Sequence, residues 1–116
     1  MRLIHEPSEG DRTPLATRVD TADGLLSQMR GLMFRRSIPE DYALVFRFDH
    51  VAPRDVHMLF VPFPLDVLWL EDSAVQRVER LSPWTGLAKS AADQLCELPA
   101  GAAEAVSVGD RVVLAD

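Results

Sequence analysis

Four side chains of this 116-residue chain combine useful chemistry with a setting that asks for an explanation: Arg35, His57, Asp66 and Trp84. Arg35, followed by Arg36, offers a planar guanidinium fork suited to a carboxylate, a phosphate or a sugar. Its structural reading is that it satisfies the last carbonyls of a helix or pairs with a buried acid such as Asp66. Asp66 lies between Leu65 and Val67 in an apolar run, where a carboxylate must be paired, hydrogen-bonded or at the lip of a cleft. His57 and Asp55, two residues apart on a strand, share a face and offer a metal ligand pair or a proton relay. Trp84, in the loop Pro83-Trp84-Thr85-Gly86, covers a core edge or stacks on a ligand such as a sugar ring. These four form the expected ligand-binding set. No catalytic residue is assigned; Asp66 and His57 are the acid–base pair an enzyme reading would use.

The remaining reactive types read as structure. Met29, Met33 and Met58 fit core filling better than thioether ligation of copper, and Trp69 sits in a continuous apolar run. Cys96 has no basic neighbour to lower its pKa and is expected to be an inert core thiol. His5 falls in the N-terminal stretch and His50 in a turn, so no three-histidine site is expected. No Gly-rich phosphate loop, nucleophile elbow or paired-histidine zinc motif appears, and no cofactor or metal is expected.

Positioning these groups requires a mixed set of elements. Residues 1–13 mix Pro7, Gly10 and charges with few apolar residues, which predicts a flexible N-terminal tail before a single domain over 14–116. Leu25, Met29, Leu32 and Met33 recur at helical spacing behind Thr21 as N-cap, predicting an amphipathic helix over 22–33. Beyond Pro39 the period changes. Tyr42–Phe48, Val56–Val61 and Leu65–Leu70 read as strands, as do Leu15–Val19, Val75–Leu81, Gln94–Leu98 and Arg111–Leu114. A short helix is expected over Ala102–Val106. The predicted class is α+β: a curved, mostly antiparallel sheet or partly open barrel, with one main and one short helix.

Composition bounds what remains. The net charge of −6 and a pI near 4.9 argue against nucleic acid as a partner, which needs a basic stripe. Arg35 and Arg36 are the one adjacent basic pair. No apolar run reaches membrane-spanning length and the N-terminus turns polar early, so no membrane partner and a cytoplasmic location are expected. A single cysteine excludes an internal disulfide. Of 12 basic residues only Lys89 is lysine, and asparagine is absent. That bias fits a high-GC genome and a high-salt cytoplasm, where a Debye length of about 3 Å at 1 M screens an acidic surface. A monomer or weak homodimer is expected.

Four blocks recur here in one order: Gly31-Leu32-Met33-Phe34-Arg35, Pro64-Leu65-Asp66, Pro99-Ala100-Gly101 and the Gly109-Asp110 turn. Together they resemble the family known as domain of unknown function 192 over roughly residues 14–114. The resemblance implies a compact domain of mixed strands with one main helix, and brings no established reaction. The functional expectation is a small binding module for a polar small molecule. The alternative is an interaction or accessory domain docking through a strand edge or through Val61–Pro64; an enzyme ranks third.

Overall fold

The computed structural model describes residues 1–22 and 31–116. Every residue from Leu65 to Leu70 is buried, the mark of a strand covered on both faces. Around it the chain lays down β1 (Arg2–Glu6), β2 (Thr13–Ala16), β3 (Arg18–Ala22), β4 (Tyr42–His57), β5 (Leu65–Glu71), β6 (Ala74–Leu81), β7 (Leu87–Pro99) and β8 (Arg111–Ala115). They form one eight-stranded sheet in the order β2-β1-β8-β6-β5-β7-β4-β3. The β3–β4 pair is parallel; the neighbours of β5 and β7 are antiparallel.

The order of the edges dictates the shape. β2 and β3 lie at opposite ends of the sheet, yet Thr17 alone separates them in sequence. One residue spans at most about 3.6 Å, so the two edges must meet and the sheet must curl on itself. The Thr17 and Arg18 amides both donate to the Asp41 carbonyl, at 2.9 and 3.0 Å, tying that junction to the start of β4.

Two apolar clusters result, one on each face. Side-chain alternation sends Ala43, Val45, Leu68, Leu70, Cys96 and Leu98 into one, together with Leu3 and Val112. The intervening Leu44, Phe46, Leu65, Val67, Trp69 and Leu95 enter the other, which Leu32, Met58 and Val61 cover. Pro53 sits within β4 opposite Ala91. β3 pairs only with Tyr42–Phe46, so among the described strands the other flank of β4 at Pro53 needs no amide donor.

The α+β class is overturned: the described residues are all-β and contain no α-helix. The helix expected over 22–33 lies mostly outside the described residues. At its described ends, Thr21 and Ala22 pair with Val45 and Phe46 in β3 instead of capping a helix, and residues 31–34 form a turn. The short helix expected over Ala102–Val106 is a run of turns. Its amides reach back three residues, Ala102 to Pro99, Glu104 to Gly101 and Val106 to Ala103, while Gly101 takes a positive φ of 97° that a helix does not contain. Residues 1–13 are not a loose tail. They hold β1, whose Leu3 and Ile4 are buried between β2 and β8, and His5 joins Asp110 at 2.8 Å. No helix of the described residues is long and apolar enough to cross a membrane.

Candidate functional site

A cavity of about 350 Å³ opens on the face that carries Trp69, between the Gly31–Met33 turn, β4, β7 and the segment leading into β5. Its walls are apolar: Leu32, Phe46, Val56, Val61, Leu65 and Leu95. Its polar groups are Glu97, Arg54, Asp55 and His57. The size matches the lower range of small-molecule sites, which combine apolar walls with a few placed polar groups.

Glu97 is the unusual one. It lies in β7 opposite Leu44 of β4 and Val67 of β5, two buried apolar neighbours, and is only 7% exposed. Among the described residues nothing donates a hydrogen bond to its carboxyl, although Arg80, Gly101 and Ala103 all donate to Asp66. Burial pushes the Glu97 carboxyl up from the ordinary 4.5 to about 7. Near neutral pH it therefore divides between a charged acceptor and a neutral donor, as a binding or proton-transfer group would. Gly31 stands beside it: a Cβ there would lie 3.7 Å from Glu97 Oε1 and 3.4 Å from the Phe46 ring, at a φ of 51°.

The rim residues are partly committed elsewhere. Arg54 stacks its guanidinium 3.8 Å from the centre of the Phe48 ring and donates to the carbonyls of Ala92 and His50. Asp55 lies 3.7 Å from Lys89 Nζ. His57 is exposed and accepts the Leu59 amide at Nδ1, 3.3 Å away.

The four residues singled out by sequence do not converge. His57 lines the cavity and the other three do not. Asp66, 2% exposed, faces away from it. Arg80 Nε donates to Asp66 Oδ1 at 2.9 Å, and the Gly101 and Ala103 amides donate to Oδ2 at 2.9 and 3.0 Å. Its arginine partner is thus Arg80, the residue directly opposite on β6, and not Arg35. Arg35 is exposed and lies 5.3 Å from the centre of the Tyr42 ring. Trp84 is 52% exposed and meets Phe60 edge-on at 5.8 Å, while Phe60 stacks on Phe34 at 4.9 Å.

Glu97 escaped notice although the signal was present: it is a carboxylate inside an alternating apolar strand, the same warning that marked Asp66. Cys96 next to it is buried, and burial, followed by the Glu97 charge, pushes its thiol to about 12. Trp69 is fully buried and donates its indole N–H to the Arg54 carbonyl. Among the described residues no three His, Cys, Asp or Glu side chains group as a metal site.

Fold and cavity together define a small all-β cavity domain built on a curled sheet. The chain belongs to the family of domain of unknown function 192, described as an uncharacterised ACR, whose sequence profile matches residues 6–114. A candidate transcription regulator from Sinorhizobium meliloti 1021 is similar in structure, with a TM-score of 0.87 and 27% identity over 97% of this chain and 91% of that one. A protein of unknown function from Novosphingobium aromaticivorans shares the fold at a TM-score of 0.82 and 20% identity, over 98% of this chain and 84% of its own. No curated protein matches the chain.

Proposed function

We propose that this domain is a small-molecule binding module whose ligand occupies the Glu97 cavity. The observation that supports it most is the buried Glu97 carboxyl aimed into an apolar cavity with no donor from the described residues. A carboxyl largely withdrawn from water gains more from a donor that a ligand brings than an exposed one does. His57 belongs to this site as a rim residue; Arg35, Asp66 and Trp84 do not. Thermal shift against small amphiphiles tests the reading. A ligand at 100 times its Kd adds about 2.7 kcal/mol, a rise of several degrees in Tm, equally in wild type and Arg35→Ala. A library that raises the Tm of neither protein sinks it.

The relative described as a candidate transcription regulator suggests DNA as a partner, and the charge of this chain speaks against direct contact: −6 overall, with no basic stripe to displace counterions.

A second reading, an interaction domain, draws support from Phe34, Phe60 and Trp84. All three are exposed and hold positive φ of 70°, 61° and 64°, conformations costing on the order of 1–3 kcal/mol each in a non-glycine residue. Their backbones lock together: Phe34 N–H donates to the Phe60 carbonyl and Trp84 N–H to the Val61 carbonyl. Within Val61–Pro64, Val61 is buried and Pro62 and Pro64 are exposed, so that segment adds apolar surface beside the trio. On this reading, replacing the trio with serine abolishes self-association seen by sedimentation of the wild type at high concentration. A wild type that stays monomeric at every concentration removes the support.

A further inference from the structure

We infer that the cavity takes an organic cation, an ammonium or amidinium group on a compact apolar body, with its nitrogen against the Glu97 carboxylate. The inference rests on the reading of this cavity as a ligand site and names the ligand class.

Three observations lead there. The first is the Glu97 carboxyl, 7% exposed and without a hydrogen-bond donor among the described residues. An N⁺–H donor forms a charge-assisted bond roughly twice as strong as a neutral one, and the low dielectric of the apolar wall sharpens that advantage. The second is the charge of the lining. Glu97 and Asp55 are carboxylates, and Arg54 is the one guanidinium among the described walls, already engaged with the Phe48 ring and two carbonyls. Among the described lining residues carboxylates outnumber guanidiniums two to one, with Asp55 lying 3.7 Å from Lys89 Nζ, on a chain of net charge −6. An anion would meet repulsion from the walls and from the protein as a whole. The third is aromatic: Phe46 and Glu97 Oε1 converge on the space beside Gly31, at 3.4 and 3.7 Å from the point a Cβ there would occupy. The carboxylate and the edge of an aromatic ring thus border one space, which suits an ammonium group carried on an apolar body.

The remaining walls, Leu32, Val56, Val61, Leu65 and Leu95, favour an apolar body over a polyol. Size agrees, since a phenyl or short alkyl body fits a cavity of about 350 Å³.

Protonation supplies an independent readout. A free carboxyl with a pKa of about 7 is roughly 10% ionised at pH 6 and 90% at pH 8. A permanently protonated amine that needs the carboxylate therefore binds about tenfold tighter at pH 8 than at pH 6 and releases a proton between those limits. The groups facing the same space, Arg54, His57 and Asp55 with its partner Lys89, act on a given probe alike in wild type and Glu97→Gln and cancel in that comparison at fixed pH.

The test is a chemical-shift titration of the intact chain with three probes of similar shape: 2-phenylethylamine, 2-phenylethanol and 3-phenylpropionate. Gly31 and Glu97 amides serve as reporters, in wild type and Glu97→Gln, at pH 6 and pH 8. The expected result is that the amine binds at least tenfold tighter than the alcohol at pH 8, loses that advantage at pH 6, and loses it at both pH values in Glu97→Gln while the alcohol is unchanged. Alcohol or propionate binding as tightly as the amine, or amine binding indifferent to Glu97→Gln, overturns the cation inference and leaves the cavity as a ligand site. No shift from any probe overturns both.

Discussion

Asp66→Ala lowers the stability of the domain by about 3 kcal/mol, a fall of roughly 10 °C in Tm for a chain of this size. The size of the effect comes from the backbone rather than from the ion pair. Asp66 Oδ2 accepts the Gly101 and Ala103 amides, and Ala103 is buried, so truncation strands a donor that water does not reach. Arg80, by contrast, has a side chain 55% exposed; solvent screens a surface partner of that kind, and it adds little. Arg80→Ala therefore costs much less than Asp66→Ala, and Asp66→Asn, which keeps one acceptor oxygen, falls between them. Urea unfolding of the three variants measures the order. Equal losses for Arg80→Ala and Asp66→Ala place the energy in the ion pair and refute this account.

Glu97→Gln has the opposite sign. A carboxyl whose folded pKa is about 7 against an ordinary 4.5 opposes folding wherever the unfolded chain ionises and the folded one resists. Below about pH 4.5 both states are protonated and the penalty is absent. It grows as pH rises through the window between those values and is complete above 7, where the displacement amounts to on the order of 3 kcal/mol. The wild type is therefore more stable at pH 5 than at pH 8 by this contribution, and Glu97→Gln lacks that part of the slope. Because glutamine also buries a polar amide, the net gain of the variant at pH 8 is smaller, about 1–2 kcal/mol. Asp110 does not interfere. Hydrogen bonds from His5 first, then from the Ser107 amide, hold its carboxyl below the ordinary range, so its contribution is lost only on more acid titration. Urea midpoints of both proteins at pH 5 and 8 check the difference of differences. A variant less stable than wild type at pH 8, or equal slopes, refutes the burial argument.

The two effects share an origin in how the sheet sorts neighbouring residues. Asp66 and Glu97 stand on adjacent strands, Asp66 opposite Leu98 and Glu97 opposite Val67. A strand turns successive side chains to opposite faces, so one carboxylate meets the amides of the Pro99–Gly101 block and the other meets apolar walls. Two acids of one sheet thus become a structural clamp and a cavity group with no donor among the described residues.

Local patterning made much of the strand set legible. The period-2 and continuous apolar runs located β5, β6, β8 and the first half of β4, because burial on one or both faces writes itself into residue alternation. The same patterning marked Asp66 as a carboxylate that must be paired, hydrogen-bonded or at the lip of a cleft. Composition established the acidic balance, and four ordered blocks carried the family. Tertiary structure decided the rest. β1 lacks strong alternation and became a strand because β2 and β8 close over it. Residues 102–106 became turns whose amides reach back three residues, while Asp66, 35 or more residues earlier in the chain, holds the Gly101 and Ala103 amides. The partner of Asp66 is Arg80 because β5 and β6 pair in that register, and register is a property of two strands, invisible in either alone. Glu97 became a cavity residue for the same reason. Its own strand declares only that it is a carboxylate among apolar residues; Leu44, Val67 and Gly31, brought from three other parts of the chain, leave it with no hydrogen-bond donor among the described residues.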